Sequence, residues 1–215
     1  MQKIKRTKFN VCLLGEGKVG KTSIVSVYNG NTFDENTLVT IGLDHFIDTV
    51  NFDGIDYKIK IFDTAGQERY RSISTNTIQI SDGFMIVYAV NDKKSFELID
   101  YWINVIEEKC DIKNKILILV GNKIDLEKRE VTNEEGVNYS KGKNMKYFEV
   151  SAKTGFGIKP LFKEMYQEVY NKYKEMEKNK NNEDNNGDND NNKKPNFNLD
   201  IKKVVNHKKK KSGCC

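Results

Sequence analysis

No stretch of this chain approaches the roughly 18 to 20 consecutive apolar residues that a membrane-crossing helix needs. The longest apolar runs, around Phe84 to Val90 and Ile116 to Val120, are far shorter. The N-terminal MQKIKRTKFN is basic but lacks the apolar segment of a secretory signal, so a secreted or membrane-spanning protein is not expected. Cysteine is scarce. Cys12 falls in an apolar strand pattern and Cys110 at the end of a helix pattern. Their spacing suits neither a disulfide framework nor a zinc site, and a reducing compartment is expected. There is no internal repeat. The body of the chain also lacks a charge surplus. Residues 178–215 hold ten Lys against five Asp or Glu, whereas the remainder balances 26 basic against 26 acidic residues. A nucleic-acid-binding domain gathers positive charge on a structured face. Here the excess sits in a tail, which suits a tether that feels an acidic surface and not nucleic acid.

What is present is one domain's worth of core in 215 residues, with 37% hydrophobic and 31% charged side chains. Strand-like runs occur at Phe9–Gly15, Phe46–Phe52, Tyr57–Asp63, Gly83–Val90, Lys115–Gly121 and Lys146–Val150. Helical periods occur at Gly20–Asn29, Ser95–Glu108, Asn133–Lys141 and Ile158–Glu177. Strand-then-helix alternation predicts an α/β fold with a mainly parallel sheet covered on both faces. Asp53-Gly54 between two strand patterns predicts a hairpin, hence one antiparallel pair. Eight Asn in residues 179–192, with no apolar residue among them, predict a disordered linker. The expected organisation is a basic extension at 1–7, a domain at 8–178 and a disordered Asn/Lys-rich tail at 179–215.

Each chemical motif follows a predicted strand, where α/β sheets bind ligands. GEGKVGKT, Gly15 to Thr22, fits G-x-x-x-x-G-K-[ST] between a strand and a helix. Its glycines let backbone N–H groups wrap phosphate oxygens, and the helix N-terminus favours negative charge. Candidates for nucleotide contact are Gly15, Gly17, Lys18, Val19, Gly20, Lys21, Thr22 and Ser23. Lys21 would reach the β- and γ-phosphates, and the Thr22 hydroxyl would bind Mg²⁺. In FDTAGQE, Phe62 to Glu68, Asp63 would hold the metal through a water, Gly66 would offer an N–H to the γ-phosphate, and Gln67 would orient an attacking water. In GNKID, Gly121 to Asp125, a carboxylate that only accepts hydrogen bonds matches the two adjacent donors of guanine and not adenine. Asn122 and the Lys123 stem would hold the base. Ser151, Ala152 and Lys153 follow the next strand and would offer N–H groups to the guanine O6. Thr40, in the loop after helix one, would join Mg²⁺ only with the triphosphate present, ordering that loop. Phe33 either packs on the purine or belongs to the core.

Four motifs in this order resemble the Ras superfamily of small GTPases over residues 8–177. TIG at 40–42, QERYRSI at 67–73 and the terminal Gly-Cys-Cys at 213–215 resemble the Rab family within it. The resemblance implies a P-loop NTPase fold with a six-stranded sheet, five strands parallel and one antiparallel, and five helices. It also implies GTP/GDP cycling with Mg²⁺ and prenylation of Cys214 and Cys215. The implied partners are an exchange factor, an activating protein, an escort protein or dissociation inhibitor, and effectors at the switch loops. The implied location is the cytoplasmic face of an intracellular membrane, in exchange with cytosol, in vesicle trafficking. Departures from the pattern are His45 and Thr77 where the effector patch usually carries large rings, and Phe62 where tryptophan is usual. They touch partner choice and leave the phosphate and guanine positions intact. Trp102, in a helix pattern, is expected to pack. Alternatives are a binding-only nucleotide scaffold, a translation or ribosome-assembly GTPase and a soluble ATPase. Gln67 and Thr40 weigh against the first, the lack of further domains against the second, and Asp125 against the third.

Overall fold

The computed structural model describes residues 6–35, 43–64 and 75–186. The chain divides into two units, Met1–Glu177 and Lys178–Cys215, and the sheet and site belong to the first. Six strands, β1 (Lys8–Leu14), β2 (Leu43–Phe52), β3 (Ile55–Thr64), β4 (Gly83–Ala89), β5 (Ile116–Asn122) and β6 (Lys146–Glu149), form one sheet. Their order is β2-β3-β1-β4-β5-β6. Only β2 and β3 pair antiparallel, and every other neighbour is parallel. The Asp53-Gly54 hairpin closes that pair with both residues at positive φ, 51° and 77°, the geometry of the turn the dipeptide predicts.

Helices among the described residues are α1 (Lys21–Tyr28), α2 (Thr75–Ile80), α3 (Lys93–Glu97), α4 (Ile99–Glu107), α5 (Asn133–Gly142) and α6 (Ile158–Asn186). Only Leu98 separates α3 from α4, so the pair is one interrupted helix and the count agrees with five. Asp92 caps α3, accepting from the Lys94 and Ser95 amides. Thr132 and Glu135 form a reciprocal capping box that starts α5. The sequence ends the last helix at Glu177 and gives 179 onward to a linker, whereas helical backbone continues to Asn186. Extending a formed helix fixes one residue for each hydrogen bond gained, so even poor formers prolong it.

Strand alternation explains the two-sided core. In β1, Phe9, Val11 and Leu13 face one side with Ile24 and Val25 of α1 and Leu161, Phe162, Met165 and Val169 of α6. Cys12 and Leu14 face the other, with Ile78 of α2 and Ile99, Trp102, Ile103 and Ile106 of α4. Side chains of period two from one strand thus serve both layers. Each fully buried Leu, Ile or Phe contributes about 1.5–3 kcal/mol over exposure. Trp102 is buried in this second layer, as packing predicts. Burial pushes the Cys12 thiol far above its ordinary value, which marks it as inert core. Among the described residues no helix is long and apolar enough to cross a membrane.

Candidate functional site

Parallel pairing brings the carboxyl ends of β1, β3, β4, β5 and β6 to one rim. The chain leaves β1 at Leu14 and turns through Gly15 to Gly20 before α1 begins at Lys21. Gly15 has φ 143°, and a Cβ there would stand 2.1 Å from the Val87 carbonyl oxygen. Only glycine lets this turn pass so close to β4. Gly20 precedes α1 without a side chain to cap it, so the leading N–H groups of the helix offer donors to an anion. Thr22 and Ser23 follow, half-buried, in its first turn.

Lys21 is the buried cation of this loop, 5% exposed. Its ammonium donates to the Gly15 and Glu16 carbonyls, each at 2.9 Å. Burial pushes its pKa down to about 8, against the opposing pull of Asp63 and then Glu16. Asp63, also buried, closes β3 beside β1, in register with Leu13. Next to it the Thr64 hydroxyl donates to the Leu13 carbonyl at 2.7 Å, locking the end of β3 onto β1. The loop cation, the Thr22 hydroxyl and the Asp63 carboxylate thus belong to adjoining strand ends.

The second half of the rim is built on β5 and β6. Asn122 is 1% exposed. Its Nδ2 donates to the Val19 carbonyl at 2.8 Å, and its Oδ1 accepts from the Ala152 amide at 3.1 Å. Lys123 adopts φ 69°, and burial lowers its pKa, opposed by Asp92 and then Asp125. The Ser151 hydroxyl donates to Asp125 Oδ1 at 2.5 Å and accepts from the Thr154 amide at 3.1 Å. Asp125 is therefore aimed by the following loop. Lys153 Nζ meets Glu35 Oε1 at 2.8 Å, with side chains 52% and 70% exposed. An ion pair that open is screened by water and adds little stability, but it links the Ser151–Lys153 loop to the segment after α1.

The structure thus gathers Gly15, Gly17, Lys18, Val19, Gly20, Lys21, Thr22, Ser23, Asp63, Asn122, Lys123, Asp125, Ser151, Ala152 and Lys153 along neighbouring strand ends. Phe33 is half-buried and packs against the α1/α6 side of the core. His45 is exposed on β2, while Phe62 and Thr77 are buried. Thr40, Gly66, Gln67, Cys214 and Cys215 lie outside the described residues. Sequence reasoning misses Glu35, which is one acid in a polar loop and lies 118 positions from its partner. It also misses the structural work of Asn122, whose partner is a main-chain carbonyl that any residue carries.

Compared with known proteins, residues 10–171 match the model of the Ras family. Ras-related protein Rab-18 of Lymnaea stagnalis is 36% identical over 163 residues, 76% of this chain and 81% of that protein. Rab-18-B of Danio rerio is 35% identical over 76% of this chain and 80% of its own length. Rab-18 of Caenorhabditis elegans is 34% identical over the same shares.

Proposed function

Because the chain belongs to the Ras family, and within it to the Rab small GTPases, it is a GTP hydrolase, and we propose that the strand-end rim holds GTP and GDP with Mg²⁺ and works as a membrane-attached switch in vesicle trafficking. The observation that carries this reading is the meeting of the two half-sites through Asn122, bonded to Val19 on the phosphate side and to Ala152 on the base side. In this assignment the N–H groups of Gly15 to Ser23 surround the phosphates, and Lys21 neutralises the β- and γ-oxygens. Asp125 accepts from the guanine N1–H and 2-amino group. Asn122 and Lys123 flank the base, and Ser151, Ala152 and Lys153 supply its O6 contacts. Phe33 closes the purine side from its place against the core.

The donors suit a small hard cation. Thr22 offers a hydroxyl and buried Asp63 a carboxylate, and a Mg²⁺ ion takes few protein oxygens because it keeps waters and substrate phosphates. Thr40 would complete this set with the triphosphate. Held by Thr22 and Asp63, the ion would supply neutralisation of negative charge on the phosphates. Gln67 orients water for in-line attack on the γ-phosphoryl, and Gly66 donates an N–H to it. Catalysis by positioning and fixed charge alone is slow, so an activating protein supplies further positive charge and an exchange factor reopens the site. Effectors read the loops around Thr40 and Gly66. Cys214 and Cys215 carry prenyl groups, delivered by an escort protein and masked by a dissociation inhibitor during cycling with cytosol.

The test is nucleotide discrimination by the purified full chain. GTP and GDP are expected to bind far more tightly than ATP, and Gln67→Leu to suppress activator-stimulated turnover while leaving nucleotide binding intact. Equal affinity for GTP and ATP would overturn the base assignment, and unimpaired stimulated turnover in the variant would remove Gln67 from its role.

A further inference from the structure

Behind the guanine-reading segment lies a polar chain that the nucleotide assignment does not use. Gly121, the residue before Asn122, is in register with Tyr88 on one side and Glu149 on the other. With no side chain at Gly121, the Tyr88 hydroxyl reaches across to the Tyr147 hydroxyl at 2.7 Å. Tyr147 in turn donates to Glu149 Oε1 at 2.7 Å. A phenol has one proton, so with Tyr147 donating to the carboxylate, Tyr88 is the donor to Tyr147. The chain therefore runs in one direction, from Tyr88 through Tyr147 to Glu149, and each bond polarises the next. At its far end the Arg129 guanidinium pairs with the same Glu149 oxygen and donates from Nε to the Val131 carbonyl at 2.6 Å.

This chain lies against Gly121, the residue before the base-reading segment. Tyr88 is fully buried, and a Cβ at Gly121 would lie 2.8 Å from its hydroxyl and 3.1 Å from that of Tyr147. Tyr147 is also pressed onto α5, where a Cβ at Gly136 would stand 2.4 Å from its hydroxyl. The chain leaves β5 at Asn122, one residue beyond Gly121, and on the loop's return Arg129 is held by the Val131 carbonyl and Glu149. Asn122 and Ser151 tie this segment to the neighbouring loops of the rim, and Ile124 packs into the layer that holds Tyr88 and Tyr147.

We propose that Tyr88, Tyr147 and Glu149, closed by Arg129, are positioning residues that brace Asn122–Asp125 and so set how strictly the site demands guanine. The inference rests on the assignment of Asp125 to the base. Removing one hydroxyl leaves the protein without a hydrogen bond in a low-dielectric chain, and the loss falls on the contacts to the base.

The experiment compares release of GDP and of inosine diphosphate, which lacks the 2-amino group, from full-length wild type, Tyr147→Phe, Tyr88→Phe, the double variant and Arg129→Gln. Tyr147→Phe is expected to release GDP about three- to tenfold faster, and inosine diphosphate little faster, so that the preference between them narrows. Acceleration of release by Mg²⁺ chelation, a property of the phosphate end, should keep its wild-type ratio. The double variant should match Tyr147→Phe, which already removes both hydroxyl bonds, while Tyr88→Phe keeps the bond from Tyr147 to Glu149 and should show the smaller change. Arg129→Gln, at the solvent end, serves if a buried variant does not fold, and should narrow the preference in the same direction. Unchanged release, or equal acceleration for both nucleotides, would overturn the brace. A wild type that does not distinguish guanine from inosine at all would instead remove the Asp125 assignment beneath it.

Discussion

The side-chain amide of Asn122 and the main-chain carbonyl of Val19 meet at 2.8 Å across 103 positions of sequence. Through this bond the turn after β1 and the loop after β5 hold one another, and the Ala152 amide at 3.1 Å brings in the loop after β6. Asn122→Ala would strand a buried carbonyl and a buried amide together, at a cost of about 1–3 kcal/mol for each group left unsatisfied. The expected result is a lowered melting temperature and GDP release at least about tenfold faster than wild type. Stopped-flow release of a fluorescent GDP analogue, with a thermal melt of the same sample, measures both. Asn122→Asp keeps the acceptor for Ala152 and loses the donor to Val19. If its release rate equalled that of wild type, the tie to Val19 would carry no weight in holding nucleotide.

Gly15 sits where the chain bends closest to β4. Its φ of 143° is a region that other residues rarely adopt, and the Val87 carbonyl oxygen lies 2.1 Å from where a Cβ would be. That atom belongs to a central strand and has no freedom to retreat, so Gly15→Ala combines backbone strain with a collision inside the sheet. The variant is expected to lose several kcal/mol, roughly the sum of those two costs, and to accumulate as insoluble protein. Chemical denaturation of whatever remains soluble gives the number. Gly30→Ala is the control, since its φ is also positive, at 85°, but nothing lies within 4 Å of its Cβ position. Equal losses at the two sites would mean that the contact with Val87 is immaterial.

The strands were legible because their side chains alternate, as Phe9, Val11 and Leu13 do against Cys12 and Leu14. The phosphate and guanine motifs were legible because each is continuous and opens directly after a strand. α2 was not, since TNTIQI is under two turns of β-branched and polar residues and shows no helical period. The break at Leu98 was hidden because Phe96 before it and Ile99 after it pack into the same layer, as they would on one continuous helix. Roles that depend on distant contacts were illegible in principle. Asn122 reads as a base contact from its motif, while its bond to Val19 exists only once β1 and β5 lie in one sheet. The chain from Tyr88 to Glu149 likewise needs the register of three strands.

Acid should loosen α5 before it loosens the core. Glu135 closes the capping box, and its carboxyl is held down to about 2, first by the Lys93 ammonium at 2.5 Å and then by the Thr132 amide and hydroxyl. A folded pKa below the unfolded value of about 4.3 means that the stabilisation is complete above that pH and is lost as pH falls toward the folded value. Carbon-detected NMR titration of the Glu135 carboxyl is expected to give a midpoint well under that of an ordinary glutamate. Glu135→Gln, neutral throughout, should show a shallower loss of α5 amide protection over the same acid range. A normal midpoint would remove the Lys93–Glu135 pair from any account of acid stability.

Membrane attachment in this reading depends on prenylation of Cys214 and Cys215, aided by Lys208 to Lys211. One lipid chain gives marginal, reversible binding, and two give stable anchoring. Each lysine near an anionic surface adds about 1 kcal/mol, weakened by salt. Replacing both cysteines by Ser should therefore move the protein from the membrane pellet to the supernatant, whereas replacing either one should leave a salt-sensitive, partial association. Replacing the four lysines by Gln with both cysteines intact should weaken attachment without abolishing it. Cell fractionation at low and high salt separates these cases. Nucleotide binding, which belongs to the strand-end rim, should be the same in all of these variants. Undiminished pelleting of the double Ser variant would show that the attachment lies elsewhere in the chain.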